Sequence, residues 1–175
     1  MSWLALLALS AIALLAYTYV GYPLLQLLRA RRVVRTRNER DWEPMVSVMM
    51  SVHDAADRIA LKLENLCALD WPADRIEFLI YSDGSTDQTE EIVQRHAAKD
   101  SRIRLVRGTE RLGKPSALNR MNALASGSVL LFTDVRPLLD PKAVRALVRP
   151  LWDPEIGCVS GSLELDGDRG RGHHP

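Results

Sequence analysis

The sequence predicts an α/β domain, a mostly parallel sheet with flanking helices, behind one N-terminal transmembrane helix. Two patterns carry this expectation. From Met45 onward, short apolar runs rich in strand formers alternate with segments of helical periodicity, and strands separated by single helices imply βαβ units and a parallel sheet. Ahead of them, Trp3 to Leu28 is a 26-residue stretch without a charged side chain. About 20 apolar residues suffice to cross a bilayer as a helix.

Residues 1–28 read as a signal anchor. A cleaved signal peptide would carry a basic start and a shorter apolar core. This chain begins Met-Ser-Trp, and its positive charges follow the apolar run. Residues 29–44 read as a basic juxtamembrane linker, holding Arg29, Arg31, Arg32, Arg35, Arg37 and Arg40 against the single acid Glu39 in its first twelve positions. Cationic flanks favour the cytoplasmic side. The expectation is an inner-membrane protein with residues 29–175 in the cytoplasm. Tyr17, Tyr19 and Tyr22 suit the membrane interface, and Pro23 can kink a membrane helix without forbidding it. The net charge of +1 conceals this local basic excess. No positive stripe with interleaved aromatics follows, so the expected partner is a lipid bilayer and no nucleic acid. Cys67 and Cys158 form no disulfide framework or metal motif and read as small buried hydrophobes.

The elements follow in order. Met45–Val52 is a β-rich run too short for an independent helix. Asp54 is placed to cap the next segment, where Ile59, Leu63, Leu66 and Leu69 share a helical face. Trp71-Pro72 ends it. Glu77–Tyr81 is a second buried strand. Asp87–Lys99 is a helix in which Asp87 and Glu90 have the spacing of a capping pair. Ile103–Val106 is a third strand. Pro115–Ala125 is a helix with Leu118, Met121 and Ala125 inward. Val129–Thr133 is a fourth strand. Asp140-Pro141 opens a helix as cap and first residue, with Val144, Leu147, Val148 and Leu151 as its core face. Gly157–Leu165 has the composition of a fifth strand. The expected α/β domain spans 45–165, and 166–175 is a polar Gly/Arg-rich tail.

In such sheets ligands bind beyond the carboxyl ends of the strands, where strand order reverses. Those ends carry His53-Asp54, Ser82–Asp87, Arg107–Lys114 and Asp134–Arg136. Aspartate is a common turn and cap residue, which accounts for Asp54 and Asp87 without a ligand. Asp83 and Asp134 each close an apolar strand and point toward the expected cleft. Carboxylates there can accept hydroxyl or base hydrogen bonds, or bind a divalent cation through oxygen. His53 and His96 are isolated and read as structural. No GxGxxG follows the first strand and no GxxxxGK[ST] occurs, which disfavours dinucleotide oxidoreductases and P-loop enzymes.

SDGSTDQTEEI at 82–92, GKPSALNRMNALASG at 113–127 and VLLFTDVR at 129–136 occur in this order. Together with VSVMMSVHDAADRIALKLENLCALDWP before them and DPEIGCVSG after, the chain resembles the N-terminal half of a family 2 glycosyltransferase of GT-A fold. That resemblance implies an incomplete Rossmann-like (GT-A) domain. It also implies inverting transfer of a sugar from a nucleotide-diphosphate donor to a polysaccharide or lipid-linked acceptor. By position, Asp83 matches the acid that contacts base and ribose, and Asp54 falls in the loop lining the base. Lys114 and Asn119 match the segment facing the nucleotide. Asp134 matches the first Asp of an Asp-x-Asp motif and is the candidate ligand for Mg²⁺ or Mn²⁺. Arg136 stands where that motif has its second Asp. An arginine cannot ligate a cation. Two readings stay open: Arg136 contacts phosphate as a guanidinium donor, or it faces solvent while Asp134 holds the metal alone or through water.

The resemblance also implies a catalytic base and an arginine-tryptophan motif that lie beyond the residues matched. The expectation is therefore a donor-binding half that transfers no sugar by itself. The alternative is a non-catalytic, membrane-tethered nucleotide-binding or scaffold fragment.

Overall fold

The computed structural model describes residues 2–30 and 42–163. The basic stretch 31–41 and the polar tail lie outside the described residues. Two compact units divide the chain, Met1–Asn38 and Glu39–Pro175.

The first unit is helical. α1 (Trp3–Ala16) runs into a π-helical turn, Tyr17–Gly21, and then α2 (Tyr22–Ala30). Ser2 caps α1 through its side chain. The π turn lies just before Pro23, which has no N–H and whose ring crowds the carbonyl four residues back. The Tyr22 N–H therefore reaches Tyr17 O, five residues back. Trp3–Arg29 is a continuous 27-residue segment whose most apolar 18 residues have a mean hydropathy of 2.0, long and apolar enough to cross a membrane.

The second unit holds a four-stranded sheet. Its strands are β1 (Val46–Val52), β2 (Ile76–Asp83), β3 (Ile103–Gly108) and β4 (Val129–Phe132), in the order β3-β2-β1-β4. All three pairings are parallel. The helices are α3 (Ile59–Cys67), α4 (Thr89–Ala97), α5 (Lys114–Asn122) and α6 (Ala143–Val148). Alternation along the strands sends side chains to both faces. Val46, Val48, Val52, Phe78 and Ile80 pack with Ile59, Leu63 and Leu66 of α3, Ile92 and Val93 of α4, and Val144 and Val148 of α6. Met49, Leu79 and Tyr81 pack on the other face with Ala117 and Met121 of α5.

This division follows from connection handedness. α3 and α4 carry the chain outward from β1 to β2 to β3, whereas α5 carries it back past β1 to β4. Right-handed crossovers running in opposite directions must lie on opposite faces. The reversal puts the switch point between β1 and β4, where ligands bind in open α/β sheets.

Several local expectations change. The helix after Asp54 begins at Ile59 with Arg58 at its cap position and no side-chain cap. Asp54 is instead drawn to the next loop. Only half of the Asp87–Glu90 capping pair forms: Asp87 Oδ1 accepts the amide of Thr89, the first residue of α4, at 3.0 Å, whereas Glu90 pairs with Arg107 at 2.9 Å. Asp140 accepts from the Lys142 amide and organises the turn before α6, not the helix itself. No strand forms over Gly157–Leu163, the described part of the expected fifth strand. Ile156–Gly161 line a cavity of about 710 Å³ along the free edge of β4, with Trp42, Leu147 and Leu151, without pairing to that edge. β-rich composition alone does not bring a run into hydrogen-bonded register with a neighbouring edge. Cys158 is consequently exposed, and Cys67 is half-buried. Trp71 is a buried anchor as expected, but Trp152 is exposed and stacks edge-on against Trp42.

Candidate functional site: the carboxyl ends of β1, β2 and β4

Asp83 ends β2 and is only 4% exposed. Its two carboxylate oxygens each accept one backbone amide, Oδ1 from Leu112 and Oδ2 from Gly113, both at 2.9 Å. Asp83 thus fixes the loop that leads into α5. Gly113 has φ +81, a left-handed conformation that glycine adopts without steric cost. The next residue, Lys114, starts α5 and reaches across to Asp134, with Nζ 2.6 Å from Oδ1. Three of the six expected site residues are therefore joined. Asp83 holds the Gly113 amide, Lys114 follows, and Lys114 meets Asp134 just past β4.

Asp54 closes the same end of the sheet after β1. Its Oδ1 accepts from the Thr86 amide at 2.7 Å and the Asp87 amide at 3.4 Å, and its own amide donates to Ser85 Oγ at 3.2 Å. The Thr86 amide, chiefly, holds the Asp54 carboxyl below its usual range. Asp54 sits at φ +45, which aspartate tolerates better than most residues. His53 bridges two loops: Nδ1 contacts Asp83 O at 2.9 Å and Nε2 lies 3.4 Å from Asp54 Oδ2. The expected structural histidine is thus built into the site.

Asn119 and Arg136 are not drawn into this cluster. Asn119 is exposed, and five residues along a helix turn it by about 140° from Lys114. Arg136 is exposed and makes no hydrogen bond or ion pair among the described residues.

Lys62, a lysine within the apolar stripe of α3, lies beneath the site. It is fully buried on α3. Its Nζ donates to Thr133 Oγ1 at 3.0 Å and to Pro137 O at 2.5 Å. Burial pushes the ammonium down to about 8, against the pull of Asp134 in the other direction. A signal was present: Lys62 completes an i, i+3, i+4, i+7 stripe with Ile59, Leu63 and Leu66, where an apolar residue is expected.

Among the described residues, no three His, Cys, Asp or Glu side chains gather into a metal cage. The donor set does suit a cation shared with a ligand. Mg²⁺-type ions are commonly held by one or two carboxylates plus substrate phosphates, and Asp134 Oδ2 is not engaged by Lys114.

Over residues 47–174 the chain matches the family model of glycosyl transferase family 2. The chain belongs to that family. Among curated relatives, glycosyltransferase AglD of Haloferax volcanii is 36% identical over 91 residues, which are 52% of this chain and 15% of the relative. Probable glycosyltransferase YdaM of Bacillus subtilis is 30% identical over 139 residues, 77% of this chain and 33% of the relative. Among solved structures, the mannosyltransferase PcManGT of Pyrobaculum calidifontis, in complex with GDP-Man and Mn²⁺, is 33% identical. It superposes with a TM-score of 0.67 over 84% of this chain and 44% of that one. The domain is a GT-A sheet, and this chain spans less than half the length of each of these relatives.

Proposed function

We propose that this chain supplies the donor-binding crevice of an inverting family 2 glycosyltransferase that takes its sugar from a nucleotide diphosphate. The observation that carries the proposal is the contact between Lys114 and Asp134 at the switch point of the sheet. It puts one cation and one cation-binding carboxylate side by side where α/β sheets hold ligands. A diphosphate entering there finds the Lys114 ammonium as a point charge and the positive end of α5, which starts at Lys114. Asp83 and Asp54 are the candidates to meet ribose and base. Asp83 oxygens each retain a lone pair after accepting one amide. Arg136, exposed and unpaired among the described residues, is the candidate second phosphate donor, as a guanidinium with forked geometry.

A divalent cation, when bound, would supply charge neutralisation to the departing diphosphate. Asp134 is the residue proposed to hold it, and the Mn²⁺ bound with GDP-Man by PcManGT supports a divalent cation at the donor site. The apolar segment Trp3–Arg29 supports anchoring in a membrane. The cytoplasmic basic flank and a polysaccharide or lipid-linked acceptor belong to the same reading.

Calorimetric titration of the detergent-solubilised chain with GDP and UDP, with and without Mn²⁺, tests it. The expected result is binding of a nucleoside diphosphate that Mn²⁺ strengthens and Asp134→Ala weakens. Absence of binding by either nucleotide under both conditions overturns the proposal.

A further inference from the structure

We propose that Lys62 is a positioning residue of the donor site, holding the Asp134–Arg136 turn rigid from beneath through its two hydrogen bonds. The inference rests on the donor-site reading above and extends it to a residue outside the crevice. The turn leaves β4 at Thr133 and is irregular until α6. Lys62 grips it at both ends, through the Thr133 hydroxyl and the Pro137 carbonyl. One helical turn further along α3, Asn65 continues the grip. Its Nδ2 donates to Leu139 O at 2.8 Å and its Oδ1 accepts from the Leu139 amide at 2.9 Å. Lys62 and Asn65 are three residues apart and so share one face of the helix. Segment 133–139 therefore rides on α3 as on a rail.

A lysine at this position is costly. Burying an ammonium carries a desolvation penalty, and no carboxylate forms an ion pair with Lys62 among the described residues. Methionine would fill the same stripe position without that penalty. What it would lose is donation to a carbonyl and a hydroxyl flanking the residue that meets Lys114. Those two bonds fix the backbone of Asp134 and Arg136, whose side chains are otherwise exposed. Preorganised donors and ligands bind more tightly because less ordering remains to be done on binding.

The test compares wild type, Lys62→Met and Lys62→Gln as full chains in detergent micelles, by two measurements. Amide order parameters of Asp134, Val135 and Arg136 report the turn directly. Titration with GDP and UDP in Mn²⁺ reports the site. Lys62→Met is expected to drop the order parameters from the rigid range near 0.85 to below about 0.6 and to weaken nucleotide binding about tenfold. Lys62→Gln, a neutral donor one bond shorter, is expected to recover part of both. Unchanged order parameters in Lys62→Met overturn the inference. If Lys62→Met does not fold, Thr133→Val removes one acceptor at constant volume, and an unaltered turn in that variant overturns the inference equally. If wild type binds neither nucleotide, the donor-site reading fails while the order parameters still decide the role of Lys62 in the turn.

Discussion

Lys114→Met separates a phosphate-binding lysine from a structural one. Methionine keeps the aliphatic length and a good helix propensity while removing the charge. The folded state loses little by the change. Lys114 and Asp134 expose 52% and 59% of their side chains, and ion pairs at that exposure contribute about 0–1 kcal/mol. Lys114 is also the first residue of α5, where a positive charge opposes the helix dipole. Stability should therefore stay within about 1 kcal/mol of wild type. Donor binding loses more. A hydrogen bond to a charged group contributes about 1.5–3 kcal/mol, which corresponds to roughly 10- to 150-fold in Kd. Calorimetry with GDP and UDP measures the second effect and thermal unfolding the first. Asp134→Asn in parallel sharpens the comparison. Without metal it should leave binding equal or tighter, because it frees the Lys114 ammonium and removes a repelling carboxylate. With Mn²⁺ it should abolish the metal's enhancement. A Lys114→Met chain that binds nucleotide like wild type but melts several degrees lower would refute the assignment and make Lys114 a staple between α5 and the β4 turn.

Three further outcomes are expected. Arg136→Ala should weaken nucleotide binding most in the absence of divalent cation, with no change in melting temperature, since Arg136 makes no hydrogen bond or ion pair among the described residues; affinity unaltered by the substitution assigns Arg136 to solvent. Gly127→Ala should lower stability by about 1–3 kcal/mol, because a Cβ there would lie 2.5 Å from Ser47 N and 2.8 Å from Met45 O, backbone that cannot rotate away; an unchanged melting temperature contradicts that packing. Glu77 is buried at the opposite end of the sheet and accepts from Ser47 Oγ and the Ser126 amide at 2.6 Å each and from Arg104 at 3.1 Å. Burial acts to raise its pKa, but these donors prevail and hold it below 4.5. A carboxyl depressed in the fold contributes stability above its unfolded value, lost as pH falls through the folded one. Denaturant unfolding below pH 4.5 should show that loss, and Glu77→Gln should remove this part of the slope.

How far the sequence could be read depended on how far each signal reached along the chain. The four strands, the helices between them and the apolar N-terminal helix all announce themselves within about ten to thirty residues. Burial of Val46–Val52 or Ile76–Asp83 makes a run apolar regardless of its neighbours, and a helix shows its stripe at i, i+3 and i+4. Alternation of those elements then leaves few topologies, and the crossover rule selects among them. The side-chain cluster was partly legible for the same reason: Asp54, Asp83 and Asp134 stand at or just past strand ends, whereas Lys114 opens the helix that follows β3.

Side-chain partnerships were not legible, because they join positions that sequence distance says nothing about. Asp54 reads as a helix cap until Thr86, 32 residues on, offers a better donor. Glu90 reads as a capping partner until Arg107 is folded against it. The Gly157–Leu165 run has strand composition, yet whether a strand forms depends on hydrogen bonding to β4, which composition does not encode. Lys62 is the clearest case. By residue type it belongs on the surface, and only the return of the chain 75 residues later, bringing Pro137 O within 2.5 Å, gives a buried ammonium somewhere to donate. Local periodicity determined the architecture and the location of the site. The tertiary contacts decided what each charged side chain does there, because a hydrogen bond needs both of its partners in place.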